Sequence, residues 1–156
     1  LHAVMKKFNI LAIIMLILSS AACKTEIEQL TLAKPDKVRA PQIKECTTMI
    51  IQADNLKEET VISWEEADFG QHVQIQYLVN MSFQNRTARV GSSFGNSLRL
   101  NNEELNTLLI NELGIPANRK QDAILYIQAE LYNGEDVYPA VSSEKKTVQI
   151  MTYAPM

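Results

Sequence analysis

The chain has 156 residues, of which 46% are hydrophobic, 21% charged and 6% aromatic, and its formal net charge is −3 at pH 7. That length fits one domain of ordinary size and excludes a multidomain enzyme. The composition excludes a wholly disordered, collagen-like or disulfide-dense chain. The mild acidity argues against nucleic acid as a partner, since nucleic acid calls for a basic surface.

An export signal comes first, in residues 1–22. Lys6 and Lys7 precede an apolar run over 8–18, and small residues follow at 19–22. This order is typical of a secretory signal, and the run is too short to span a membrane, which needs about 20 residues. The predicted translation start is Met5, or Leu1 if an alternative start codon is used.

Cys23 directly follows Ser20-Ala21-Ala22, and these four residues resemble the bacterial lipobox, in which the cysteine is acylated before cleavage ahead of it. Ser20 replaces the usual aliphatic residue, so an ordinary secretory signal beside a chance cysteine is the alternative. Lipidation of Cys23 predicts stable membrane attachment, because each buried acyl methylene contributes about 0.8 kcal/mol. It also leaves Cys46 without a partner and predicts a lone buried thiol there.

After the leader, residues 23–40 form a predicted flexible tether, because they mix charges with one proline and show no sustained period. From residue 41 the hydrophobic period becomes two. The segment 73–83 shows it best, as expected for a strand that buries one face. Turn signals separate the β-rich segments and predict an antiparallel sandwich of about seven strands, over residues 47–53, 60–64, 73–83, 87–92, 96–100, 123–132 and 146–153.

One helix interrupts the strands and is predicted near residues 102–113, where four leucines recur at helical spacing. Asn101 is the predicted N-cap, with Glu104 as the second member of a capping box, and Gly114 ends the helix. We expect this helix to cross one end of the sandwich and to link strands of opposite sheets.

These features, in this order, resemble the SusE-type outer-membrane domain. The segment VISWEEADFGQHVQIQYLVNMSF carries an apolar-x-Trp motif at 62–64, a small-Asp-aromatic-Gly turn at 67–70 and a long alternating strand at 73–83. A leucine-rich helix ending in Leu113-Gly114, a late strand over 124–132 and a final strand over 147–153 complete the likeness. The resemblance covers roughly residues 40–154.

The resemblance implies an immunoglobulin- or fibronectin-III-like domain over 41–154, on an outer-membrane lipoprotein at the cell surface of Gram-negative bacteria. Such proteins accompany a TonB-dependent transporter and its glycan-binding lipoprotein partner, and hold starch or another polysaccharide. In the family this domain is membrane-proximal, and later modules contact the glycan. Because the sequence stops at Met156, the resemblance implies a non-catalytic spacer or presenting module, whether as a short relative, a fragment or a paralogue. The alternative is a lipid-anchored protein–protein interaction module unrelated to glycans.

Candidate contact residues for a glycan or partner are the aromatic side chains Phe94, Tyr132 and Tyr138. Sugar faces stack on exposed aromatic rings, and these three lie in or beside predicted loops; packing at the edge of the sandwich would also explain them. Trp64 shares a strand face with Ile62 and is predicted to lie in the core.

No catalytic residue, metal site or cofactor is predicted. Glu65, Glu66 and Asp68 share one turn, whereas a glycosidase pair must flank a cleft and calcium needs six or more oxygen ligands. His72 has no second ligand at a zinc spacing. A small hydrolase is therefore the least favoured function.

Overall fold

The computed structural model describes residues 37–46, 48–70, 73–132 and 139–156. Residues 1–22, Cys23 and most of the predicted tether lie outside these ranges. The described residues form nine strands and one α-helix, together with a short 3₁₀-helix at Ala53–Asn55. In chain order they are β1 (Gln42–Ile43), β2 (Thr48–Ile50), β3 (Glu59–Glu65), β4 (Ile75–Phe83), β5 (Arg86–Ser93), β6 (Ser97–Asn101), α1 (Asn102–Leu113), β7 (Lys120–Leu131), β8 (Val141–Ser142) and β9 (Lys146–Met151).

The strands form two sheets. The smaller sheet has the order β1-β3-β6, and the larger has the order β2-β9-β7-β4-β5, with β8 also pairing with β7. Neighbouring strands are antiparallel except β2 and β9, which are parallel. The predicted mainly β sandwich is confirmed, with this one parallel pair added.

Each of the seven predicted β-rich segments contains a strand. The sequence does not predict β1 and β8, because two residues are too few to show a period. β1 pairs with β3 and β8 pairs with β7, and one side chain of each, Ile43 and Val141, packs against the core.

The core lies between the two sheets and is filled by alternate residues of the long strands. In β4 the odd positions from Tyr77 to Phe83 are buried, and in β7 the odd positions from Ala123 to Leu131 are buried. Trp64 and Ile62 enter the same core from β3, each with no exposed surface. Burial of one strand face on each sheet is the main source of the stability of such a fold.

Helix α1 follows β6 of the smaller sheet and precedes β7 of the larger sheet, so the predicted crossover between sheets is confirmed. The Oδ1 atom of Asn101 accepts a hydrogen bond from the backbone N–H of Glu104 at 3.1 Å and caps the first turn. Gly114 ends the helix in the left-handed conformation, with φ of 67°. Leu109 lies on the buried face and has no exposed surface.

Candidate ligand-contact surface

In the segment 64–70, Trp64, Ala67 and Phe69 lie in the core of the sandwich. The rings of Trp64 and Tyr77 lie 5.4 Å apart, measured between centroids. The hydroxyl of Tyr77 accepts a hydrogen bond from the backbone N–H of Ala67 at 2.9 Å and so fixes the turn against β4. Burial raises the pKa of Tyr77, an effect that this hydrogen bond partly offsets. The prediction that Trp64 is a core residue rather than a sugar platform is confirmed.

The acidic turn beside it has a structural role. The carboxylate of Asp68 accepts a hydrogen bond from the backbone N–H of Gly70 at 2.8 Å, and its backbone pairs with that of Arg39. Glu65 and Glu66 are exposed. Within the ranges that the structure describes, no group of three or more His, Cys, Asp or Glu side chains is placed to hold a metal ion. The acids therefore shape and solvate the turn.

Cys46 is a free, buried cysteine, as predicted. Burial raises the pKa of its thiol, an effect that the charge of Lys146 partly offsets. A raised pKa keeps the sulfur protonated at neutral pH, which is the opposite of what a nucleophilic cysteine requires. Cys46 therefore acts as a small core residue.

We call the face of the larger sheet that is turned away from the smaller sheet the outer face. The even positions of β4 and β7 lie on it, because the odd positions fill the core. Leu78 and Asn80 lie on this face and yet are only 6% and 5% exposed. Neighbouring side chains therefore cover the middle of the outer face.

Phe94 and Tyr132 meet at one end of the outer face. Their ring centroids are 5.0 Å apart and the ring planes are almost perpendicular, at 86°. The side chains remain 52% and 45% exposed. The structure thus brings together two of the three predicted contact residues, although they lie 38 positions apart in the sequence. Two large exposed rings in edge-to-face contact offer an amphipathic surface for a sugar or a protein.

The third predicted contact residue, Tyr138, lies outside the described residues, as do His72, Asn133 and Gly134. Cys23, the predicted lipidation site, is outside them as well. Their predicted roles stay predictions.

A pair of amide side chains occupies the centre of the outer face. The Nδ2 atom of Asn80 donates to Oε1 of Gln128 at 3.1 Å and also to the backbone carbonyl of Leu78 at 3.2 Å. Sequence reasoning did not single out these amides. The signal for them was present, since both occupy polar positions of alternating strands, but pairing them requires the register of β4 with β7.

A row of side chains crosses the outer face through Asn80, and we call it the cationic row. Asn80 lies opposite Arg89 of β5 on one side and opposite Tyr126 of β7 on the other. The ammonium of Lys145 lies over the ring of Tyr126, 5.5 Å from its centroid. The cationic row is therefore Arg89, Asn80, Tyr126 and Lys145, with a positive charge at each end.

Two packed sheets joined by a crossover helix define an immunoglobulin-like β-sandwich. A sequence model of the SusE outer membrane protein family matches residues 25–128. Because this match covers two thirds of the sequence, the chain belongs to the SusE outer membrane protein family. It is an outer-membrane protein of the starch-utilisation type.

A comparison with curated proteins finds no match. Among the described residues, no helix combines the length and the apolar character that crossing a membrane requires.

Proposed function

We propose that this chain is a lipid-anchored, non-catalytic module that presents its sandwich domain to a polysaccharide-uptake complex at the outer membrane. The observation that carries this proposal is the position of the family match, which begins at residue 25, two positions after Cys23. A lipidated cysteine immediately before a family domain is the arrangement expected of a membrane-proximal module.

Each segment has a role in this proposal. Residues 1–22 direct export and are removed, the acylated Cys23 holds the chain in the outer membrane, and the tether predicted over 23–40 runs up to Val38, which packs against the core, and Arg39, whose backbone pairs with that of Asp68. The extended segment 23–37 reaches at most about 50 Å. The domain over 41–154 then stands clear of the lipid surface, where it meets a TonB-dependent transporter and a glycan-binding lipoprotein.

Phe94, Tyr132 and Tyr138 are the proposed contact residues for the glycan or the partner. Support comes from the exposed edge-to-face contact of the first two rings. The described chemistry favours binding over catalysis, since the one buried thiol has a raised pKa and the acidic turn is structural.

Two measurements test the proposal. Metabolic labelling with a fatty acid should label the chain, and Cys23→Ala should abolish the label and release the protein from outer-membrane fractions. Cys46→Ala is the matched control and should keep the label, because that thiol is buried within the domain.

The second measurement is affinity purification of the tagged lipoprotein from detergent-solubilised native membranes, with its co-purifying proteins identified by mass spectrometry. We expect a TonB-dependent transporter and a glycan-binding lipoprotein. Recovery of a different membrane complex that lacks both would contradict the glycan-uptake role and favour the interaction module unrelated to glycans.

A further inference from the structure

Neither cation of the cationic row forms a salt bridge with a carboxylate of the described residues. The one salt bridge among the described residues joins Arg99 to Glu59 on the smaller sheet, away from this row. Arg89 and Lys145 are both exposed. Since neighbouring strands lie about 4.8 Å apart, the row spans about 14 Å across the sheet. Two unpaired cations at this spacing raise the local potential on a chain whose net charge is negative.

The Lys145 end of the row opens into a cleft between β1 and the segment leading into β9. This cleft has a volume of about 480 Å³, and Arg39, Lys145 and Lys146 line it together with one acid, Glu144. The carboxylate of Glu144 forms no salt bridge with any of these cations. The cleft therefore continues the positive charge of the row from the outer face around the edge of the sheet.

The amides in and beside the row are oriented and have unused bonding capacity. Asn80 spends both of its Nδ2 hydrogens on Leu78 and Gln128, so its Oδ1 atom keeps its acceptor capacity. Gln128 accepts through Oε1, and its Nε2 atom keeps two donors. Asn80 itself is only 5% exposed, so it orients Gln128, which is partly exposed and keeps its two donors for the hydroxyl groups of a sugar ring.

The aromatic pair continues this surface along the strands. Phe94 directly follows β5 and Tyr132 directly follows β7, so both lie at the end of the outer face nearest Gln76. From Gln76 to Asn80 is four residues of β4, or about 13 Å. The carboxylate of Glu130 lies opposite Gln76, at the aromatic end and apart from the cationic row.

We propose that the outer face binds an acidic polysaccharide, with its carboxylate or sulfate groups on Arg89 and Lys145 of the cationic row and its sugar rings on Gln128 and the Phe94–Tyr132 pair. This inference rests on the proposed function and specifies its ligand. A neutral glucan would use the rings and amides but would leave Arg89 and Lys145 without counter-charges. An anionic membrane surface would use the cations but not an ordered amide pair.

Affinity electrophoresis of the full lipoprotein in detergent tests this proposal, with polygalacturonate or amylose as the polysaccharide cast in the gel. We expect polygalacturonate to retard the protein and amylose to retard it much less. Retardation by polygalacturonate should weaken as salt rises from about 0.05 M to about 0.5 M, because the screening length shortens several-fold.

Three variants connect the binding to named side chains. Arg89→Gln and Lys145→Gln should each weaken polygalacturonate binding about tenfold, which is the usual effect of one charge-assisted hydrogen bond. Lys57→Gln removes the same charge from an exposed turn before β3 and should leave binding unchanged. All three side chains are exposed, so circular dichroism should report the wild-type fold for each variant.

Equal retardation by amylose and polygalacturonate would overturn the proposal in favour of a neutral glucan. Binding to vesicles that contain phosphatidylglycerol, without binding to polygalacturonate, would overturn it in favour of a membrane surface. Equal losses in Arg89→Gln and Lys57→Gln would show that overall charge, not the row, is responsible. None of these results affects the co-purification test, so this inference and the proposed function fail separately.

Discussion

Replacing Tyr77 by phenylalanine removes one oxygen atom and should destabilise the domain measurably. The Tyr77 hydroxyl is the hydrogen-bond acceptor for the backbone N–H of Ala67, at 2.9 Å, and both residues are buried. In Tyr77→Phe this N–H is left without a partner and away from water. The cost of a buried unsatisfied donor is about 1–3 kcal/mol.

Urea denaturation followed by Trp64 fluorescence measures this cost, because the indole ring lies against Tyr77. With an m-value of about 1–3 kcal/mol/M, the midpoint should fall by about 1 M. Hydrogen exchange gives a local readout, since the amide of Ala67 should lose protection while amides in the middle of β7 keep theirs.

Tyr153→Phe is the matched control. Tyr153 packs against the core but its hydroxyl has no hydrogen-bond partner among the described residues, so its loss should change the unfolding free energy by less than about 0.5 kcal/mol. If Tyr77→Phe costs no more than Tyr153→Phe, the reasoning that the Tyr77 hydroxyl holds the turn is wrong.

Three further predictions concern stability. Burial raises the pKa of both Cys46 and Tyr77, so above about pH 9 the unfolded state loses protons that the folded state keeps. The contribution of these two groups to stability is therefore present below that pH and is lost as the pH rises. Urea midpoints measured from about pH 8 to pH 10.5 should fall, and they should fall less steeply in Cys46→Ala. Leu109→Ala should cost about 2–5 kcal/mol by urea denaturation, because the side chain has no exposed surface, and an unchanged midpoint would show that α1 is not part of the cooperative core. Gly114→Ala should cost about 1–2 kcal/mol in thermal denaturation, because φ is 67° and the new Cβ would lie 3.2 Å from Nη1 of Arg86. Gly95→Ala is the control and should be nearly neutral, because its new Cβ would meet nothing closer than 3.8 Å. Equal losses of stability in the two variants would contradict this prediction.

The motif that carries the family resemblance is structural in this chain. Trp64 fills the core, Ala67 donates to Tyr77, and Asp68 closes the turn onto Gly70. Because the residues of this segment make structural contacts, ligand specificity has to come from other positions of the domain.

Local patterns predicted the regular elements because their signals are short in range. The alternation over 73–83 predicted β4, the leucine spacing and Gly114 predicted α1, and the position of Trp64 two residues after Ile62 predicted its burial. Each depends on which side of one strand or helix a residue occupies, and the period of that element determines it.

The contacts between elements did not follow from those patterns. The parallel pairing of β2 with β9 joins segments about 100 residues apart, and no local period encodes a partner at that distance. The burial of Asn80 on a solvent-facing strand surface also escaped prediction, because its neighbours across two strands cover it.

The sequence by itself predicted an export signal and determined the strand and helix segments, the family resemblance and the set of aromatic candidates, all of which depend on residue order and periodicity. Only the tertiary structure decided that Phe94 meets Tyr132 and that Arg89 and Lys145 end one row across the sheet. The physical reason is that a binding surface on a sheet runs across strands, and the register between strands is set by packing of the buried face.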